Sequence, residues 1–254
     1  MASHDLHHLV SGLSDVALYE RGRAEWPSEL CDALRSGLGL PAGAAVVDVG
    51  AGSGKLSRVL AAGGFSVTGV EPLPAMREVL ARALGDDRAL DGTAEAIPLP
   101  DASADAVTCG DAFHWFDHDA AAAEFHRVLR PGGGVAIAWR IPDPGRTGGW
   151  AVEIERLIAE VRPEHPGYTP DRGMDGLARH GGFTARELVA IPFEHVTDRA
   201  GILDFVGSIT FVGLLPPAER AALLDRCSVA LDRADGDVLV WPGVAEVWLS
   251  RRLP

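Results

Sequence analysis

The sequence predicts an α/β protein, a doubly wound and mostly parallel sheet with helices on both faces and a C-terminal insertion or lid. Three observations predict it. Short apolar runs alternate with segments of helical spacing over residues 41–140, the rhythm of a parallel sheet. The first run, Ala44–Val49, is apolar at nearly every position, as suits a strand buried on both faces. That run leads into the glycine-rich turn Gly50–Gly54 and then a helix, the frame in which open α/β sheets bind ligands at the carboxyl ends of their strands.

The elements follow in order. Residues 1–40 form an N-terminal helical cap, because Leu18, Trp26, Leu30, Leu34 and Leu38 recur mostly at four-residue steps on one helix face. Pro41 and Gly43 end it. In the core, 41–140, the first strand and its turn are followed by a helix from Lys55 to Ala62. Phe65–Glu71 is the second strand, Pro72–Leu84 a helix with prolines in its tolerant first turn, and Arg88–Asp91 a short third strand. Ala104–Gly110 is the fourth, Asp117–Arg130 a helix capped by Asp117, and Val135–Arg140 the fifth after the turn Gly132–Gly134. Beyond Ile141 the rhythm breaks. Residues 141–182, rich in Pro and Gly, are an insertion or lid that contains the helix Trp150–Val161. Residues 183–254 complete the sheet and a substrate pocket: strand Phe183–Val196, helices Arg199–Phe211 and Pro217–Ala234, and a closing hairpin or long strand Asp237–Arg251.

The composition narrows the function. A net charge of −13 disfavours a nucleic-acid partner, which demands a basic footprint, and an anionic membrane surface for the same reason. The three cysteines, Cys31, Cys109 and Cys227, are far apart and odd in number, so neither a metal site nor a disulfide framework is expected. With no signal-like start and no long apolar run, the expectation is a cytoplasmic protein, monomer or homodimer, acting on a small molecule. His4, His7 and His8 are expected to be solvated tail residues.

The segment Asp48-Val49-Gly50-Ala51-Gly52-Ser53-Gly54 carries the chemistry. Glycines at alternate positions let the backbone turn sharply and meet a ligand with no side chain between. A phosphate-binding P-loop needs Gly, four residues, then Gly-Lys-Ser/Thr; here Val49 and Leu56 stand at two of the required positions. A dinucleotide turn ends on Gly or Ala for close helix packing, where this chain places Lys55 or Ser57.

An acid followed by Gly-x-Gly-x-Gly at a strand-to-helix turn resembles the first motif of class I S-adenosylmethionine-dependent methyltransferases, matched by Asp48, Gly50, Gly52 and Gly54. The resemblance implies a Rossmann-like core, methyl transfer and S-adenosylmethionine as cofactor, with S-adenosylhomocysteine as product. It implies that Ala51 lies in the binding turn and that Glu71, 17 residues after Gly54, accepts from both ribose hydroxyls, as one carboxylate can. Pro72, Leu73 and Met76 would cover an adenine face, and Thr93, Ala94 and Glu95 its edge, although many relatives carry Asp at the Thr93 position. The block Cys109–Asp117 (CGDAFHWFD) is similar to the small-molecule branch that includes trans-aconitate-methyltransferase-like proteins. Gly110, Asp111, Ala112 and Trp115 would then border the cofactor, and Tyr19 and Arg23 would fold over its methionine end, an arginine suiting a carboxylate.

His114 and Asp111 are the candidate catalytic residues, as proton acceptors for an acceptor that needs deprotonation; the other readings are that His114 only packs and orients Trp115, and that Asp111 faces the cofactor amine. Phe113, Trp115 and Phe116 would wall an apolar pocket; Trp150, Tyr168, Phe205 and Phe211 either complete it or belong to the core, and Phe205 suits the core better. Two other readings stay open at this point: a protein that binds the cofactor without transferring methyl, and a nicotinamide-dependent oxidoreductase.

Overall fold

The computed structural model describes residues 15–146, 148–163 and 175–254. Its strands are β1 (Ala45–Val49), β2 (Ser66–Val70), β3 (Ala89–Leu90), β4 (Ala104–Gly110), β5 (Leu129–Pro142), β6 (Glu187–Thr197) and β7 (Leu239–Arg251). The helices are α1 (Val16–Gly22), α2 (Leu30–Leu38), α3 (Lys55–Ala62), α4 (Pro74–Leu84), α5 (His118–Val128), α6 (Gly149–Glu160), α7 (Gly176–His180), α8 (Arg199–Gly207), α9 (Thr210–Gly213) and α10 (Pro217–Leu231). The strands form one seven-stranded sheet in the order β3-β2-β1-β4-β5-β7-β6. Pairings β1–β2, β1–β4, β2–β3 and β4–β5 are all parallel, which makes the predicted doubly wound α/β sheet.

The topology fixes where a ligand can bind. The chain winds outward from β1 through β2 to β3, then returns to β4 on the other side of β1. The crevice outside the carboxyl ends of such a switch point is the ligand position in open α/β sheets. Here those ends are Val49, which leads into the glycine turn, and Gly110, which leads into the aromatic block.

By compactness the chain divides into two units. The larger comprises Trp26–Arg140, His165–Ile191 and Ala245–Pro254. Its core includes Leu30 and Leu34 of α2, Leu60 of α3, Leu80 of α4, Phe125 of α5 and Ile137 of β5, all fully buried. The smaller comprises Met1–Glu25, Ile141–Glu164 and Pro192–Val244. There α1 packs on α8 because Gly22 has no side chain: a Cβ on it would stand 2.4 Å from the backbone nitrogen of Phe205.

Several expected elements differ in extent. Among the described residues, the apolar stripe read as one helix face is carried by two helices, α1 and α2, with Trp26 in the extended link between them. Pro27 accounts for the break, since it lacks an N–H and disfavours helical geometry in the residue before it. The turn expected at Gly132–Gly134 is a bulge inside β5, with Leu129 opposite Ala104 and Gly134 opposite Ala106. The extra residues bend outward at Gly132, φ +79°. The helix expected over Arg199–Phe211 stops at Gly207, where the Ser208 hydroxyl donates back to the Phe205 carbonyl at 2.7 Å and competes with helix continuation. The strand expected from Phe183 starts at Glu187, and Phe183 forms only an isolated bridge with Arg252. The C-terminal segment is the long strand β7 rather than a hairpin.

Candidate functional site

The glycine turn is left-handed at all three glycines: φ is +66° at Gly50, +57° at Gly52 and +89° at Gly54. L-residues with a side chain reach this region only at a cost of about 1–2 kcal/mol. The three differ in what surrounds them. A Cβ on Gly50 would lie 2.8 Å from Ala112 Cβ, and one on Gly54 would lie 2.8 Å from Leu80 Cδ1. A Cβ on Gly52 would meet nothing within 4 Å. So Gly50 and Gly54 are packed against the protein, while Gly52 turns its bare face to open space.

Glu71 closes on that turn. Its Oε2 accepts the Gly52 N–H at 2.8 Å and its Oε1 accepts the Leu73 N–H at 2.9 Å. A carboxylate offers about four acceptor positions, so one remains on each oxygen, enough for two neighbouring hydroxyls. Burial pushes the Glu71 carboxyl above its ordinary pKa, opposed by the Leu73 and Gly52 N–H groups and by Arg77. Arg77 spans the start of α4, donating to the Glu71 carbonyl at 2.8 Å and the Pro72 carbonyl at 3.1 Å.

Asp48 is wholly buried. Oδ2 accepts from Ser57 Oγ at 2.5 Å and Oδ1 from Thr108 Oγ1 at 3.1 Å. It is therefore a strut joining β1, the first turn of α3 and β4, and in this structure its carboxylate touches protein groups only. Burial pushes its pKa up to about 6, against the Ser57 and Thr108 hydroxyls and with Glu71 adding repulsion. The folded state thus binds this proton more tightly than the unfolded chain, where Asp titrates near 3.9. The stability Asp48 contributes is full below about pH 4 and is lost as pH rises through about 6, a swing of about 3 kcal/mol. Asp48→Asn should flatten that segment of the melting temperature against pH relative to wild type. Parallel curves from pH 4 to 7 would show that the carboxyl does not titrate there.

The segment after β4 packs onto the turn. Ala112 Cβ and the Phe116 ring face Gly50, and Trp26 occupies the space a side chain on Gly110 would need, with Cζ2 2.8 Å from the position of a Cβ. Asp111 has φ +52°, rare for a residue with a side chain. Arg140, at the end of β5, holds it there. Asp111 Oδ2 accepts from Arg140 Nε at 2.8 Å and pairs with Nη2 at 2.7 Å, while Oδ1 accepts the Arg140 backbone N–H at 2.9 Å. Asp111, expected as a proton acceptor or as a partner of the cofactor amine, has both carboxylate oxygens engaged by Arg140 in this structure. Sequence reasoning missed Arg140. Its signal was a lone charge ending the apolar run Val135–Trp139. The guanidinium also lies 4.6 Å over the Trp26 ring.

The remaining expected residues sort by exposure and contact. His114 sits between two indoles, 4.5 Å from the Trp115 ring and 5.1 Å from that of Trp139. Trp115 is half-buried, but Phe113 is fully buried against Phe125 and His118, so it is core rather than pocket wall. Met76 is 2% exposed and Ala94 is buried; in this structure the Met76 side chain fills core, and Pro72 and Leu73 remain half-exposed or nearly so. Glu95 Oε1 accepts the Asp117 N–H at 2.8 Å, and Asp117 in turn caps α5 by accepting the Ala120 N–H. Thr93 forms a small antiparallel bridge with Ala96. Burial pushes the Cys109 thiol well up, so it is no nucleophile.

Tyr19 and Arg23 belong to the smaller unit. The Arg23 guanidinium lies 5.5 Å over the Tyr19 ring and 5.3 Å over the Phe205 ring, and its Nε donates to Ser208 Oγ at 2.9 Å. Trp150 and Phe211 are buried. Tyr168, like His4, His7 and His8, lies outside the described residues. Among those described, no cluster of three or more metal-ligating side chains occurs, and no helix is long and apolar enough to cross a membrane.

Residues 47–137 match a family model described as a methyltransferase domain. The chain is 37% identical over 214 residues to an uncharacterized methyltransferase of Mycobacterium tuberculosis, Rv3342, covering 84% of this chain and 82% of that one. Among solved structures it resembles a putative type II methyltransferase from Anaeromyxobacter dehalogenans, with a TM-score of 0.70 at 24% identity over 91% of this chain and 99% of that one. It also shares its fold with a Haemonchus contortus phosphoethanolamine N-methyltransferase in complex with S-adenosylhomocysteine. That match has a TM-score of 0.54 at 17% identity and covers 95% of this chain and 57% of the other.

Proposed function

The chain belongs to the class I S-adenosylmethionine-dependent methyltransferases, and we propose that it methylates a small molecule, with the cofactor held by the turn Gly50–Gly54 and by Glu71. One observation carries this reading: Gly52 presents a bare, left-handed backbone to open space beside a carboxylate that retains acceptor capacity on both oxygens. Those acceptor positions suit a ribose diol attached to a group lying close over the turn. Pro72 and Leu73 would cover one adenine face and the backbone of Thr93–Glu95 its edge, with Ala51, Gly110, Ala112 and Trp115 bordering the site. The ribose-binding role of Glu71 is supported by its place beside the glycine turn and by the acceptor position left on each oxygen. Tyr19 and Arg23 rest on resemblance alone.

S-adenosylmethionine supplies a methyl group on a cationic sulfur. Transfer forms a bond from the acceptor atom to that carbon and breaks the carbon–sulfur bond, whose electrons neutralise the sulfur. The protein's part is alignment, which can lower the barrier by about 7–11 kcal/mol. Where the acceptor is a hydroxyl, His114 takes its proton. Arg140 acts through Asp111, fixing the strained backbone that places Ala112 against Gly50.

S-adenosylhomocysteine at a hundredfold excess over its Kd should stabilise the fold by about 2.7 kcal/mol, or about 5–10 °C for a chain of this size. No shift at millimolar ligand would sink the proposal. Formation of S-adenosylhomocysteine from S-adenosylmethionine with an acceptor separates transfer from mere binding. His114→Ala should slow turnover of hydroxyl acceptors about 10²–10⁴-fold with cofactor affinity kept. Equal turnover would reduce the imidazole to a spacer between Trp115 and Trp139.

A further inference from the structure

The smaller unit holds a cluster of rings that the cofactor reading leaves unused. Trp241 of β7 is 2% exposed and meets Trp150 of α6 at 5.6 Å and Phe205 of α8 at 5.4 Å, both edge-to-face, with interplanar angles of 77° and 70°. His195 of β6 reaches the same Phe205 ring at 6.3 Å. Such tilted contacts are the geometry aromatic groups prefer. Within the cluster, among the described residues, the buried Trp241 Nε1–H has no acceptor. A buried donor left unmade costs about 1–3 kcal/mol, and buried indole N–H groups ordinarily find a partner. An orphan of this kind in a native fold calls for an explanation.

We propose that this cluster is a binding subsite for a flat aromatic molecule carrying an oxygen acceptor, which receives the Trp241 indole N–H. Of the three rings of the cluster, Trp150 and Trp241 are buried and Phe205 is half-buried, so the ligand would enter by taking the place of the Phe205 ring. The surrounding rings then select a planar partner, and the N–H selects the oxygen. This inference concerns the smaller unit alone and does not rest on the methyltransferase reading.

The test uses 2-naphthoate and its saturated counterpart decalin-2-carboxylate as probes, titrated calorimetrically into the whole chain without cofactor. The naphthoate should bind at least tenfold tighter than the decalin acid, and Trp241→Phe should lose at least tenfold of that affinity while binding S-adenosylhomocysteine as wild type does. Equal binding of both acids, or naphthoate affinity unchanged in W241F, overturns the subsite and identifies the N–H as lying against a ring face. Should W241F fail to fold, tryptophan-¹⁵N-labelled wild type decides. One indole proton must move downfield on adding naphthoate, and six unmoved resonances overturn the proposal. S-adenosylhomocysteine binding without naphthoate binding removes this subsite alone, whereas the reverse removes the methyltransferase reading and leaves the ring site.

Discussion

Glu71→Ala should weaken S-adenosylhomocysteine binding at least a hundredfold. Hydrogen bonds to a charged group contribute about 1.5–3 kcal/mol each, and Glu71 would make two to the ribose, about 3–6 kcal/mol in all. The same substitution releases the Gly52 and Leu73 N–H groups, each now held within 3 Å by one carboxylate oxygen, so the turn also loses the tie that sets its position. The carboxyl is also pushed above its ordinary pKa by burial, which gives a second readout. Protonation removes acceptor capacity, so affinity should be full at neutral pH and fall as pH drops through a range displaced above that of a free glutamate. That acid-side loss should vanish in Glu71→Ala, whose weaker binding no longer depends on this proton. Calorimetric titration from pH 5 to 8 measures both effects. Wild-type affinity in the variant would remove Glu71 from the site, and an acid-side loss equal in both proteins would assign the titration to another group.

What could be read from the sequence was what neighbouring residues decide among themselves. Apolar runs, glycine spacing and the Asp117 cap depend on residues within a few positions of one another, and β4 lies where its pattern placed it. Glu71 was visible because its distance from the turn is set by one helix and one strand. Two features of the site were invisible for the opposite reason. Asp111 and Arg140 are 29 residues apart, brought together only when β5 pairs with β4, and no local pattern announces such a pair. Asp48 was legible only as the acid of the motif; that its carboxylate meets Ser57 and Thr108 follows from how β1 packs against α3 and β4. Phe113 and Met76 are both buried in this structure. A ring or a thioether near a binding motif has the same signature whether it faces ligand or core, and packing alone decides. Likewise the Trp241–Trp150–Phe205 cluster joins three distant segments, none of which is distinctive alone.

Gly52→Ala and Gly54→Ala should separate binding from stability at two positions that read alike in sequence. Both glycines are left-handed, so each alanine carries backbone strain of about 1–2 kcal/mol. For Gly52 that is the whole cost to the fold, because its Cβ meets nothing; the melting temperature should fall by about 2–8 °C. The new methyl nevertheless stands in the space a cofactor must occupy, and affinity for S-adenosylhomocysteine should drop at least tenfold. Gly54→Ala adds a collision. Its Cβ would come 2.8 Å from Leu80 Cδ1 and 3.6 Å from Leu80 Cα. Leu80 cannot retreat, since it is fully buried and its two methyls already fill the space beside Gly69, 2.7 and 3.0 Å from where a Cβ would lie there. Overpacking of this kind costs about 1–3 kcal/mol further, so Gly54→Ala should melt lower than Gly52→Ala. Shortening the obstacle with Leu80→Val should recover part of that loss in the double variant, a coupling expected only of residues in contact. The comparison has a clear failure mode. If Gly52→Ala binds the cofactor product as wild type does, the open face of the turn is not where the ligand lies. If instead it destabilises as much as Gly54→Ala, that face is not open.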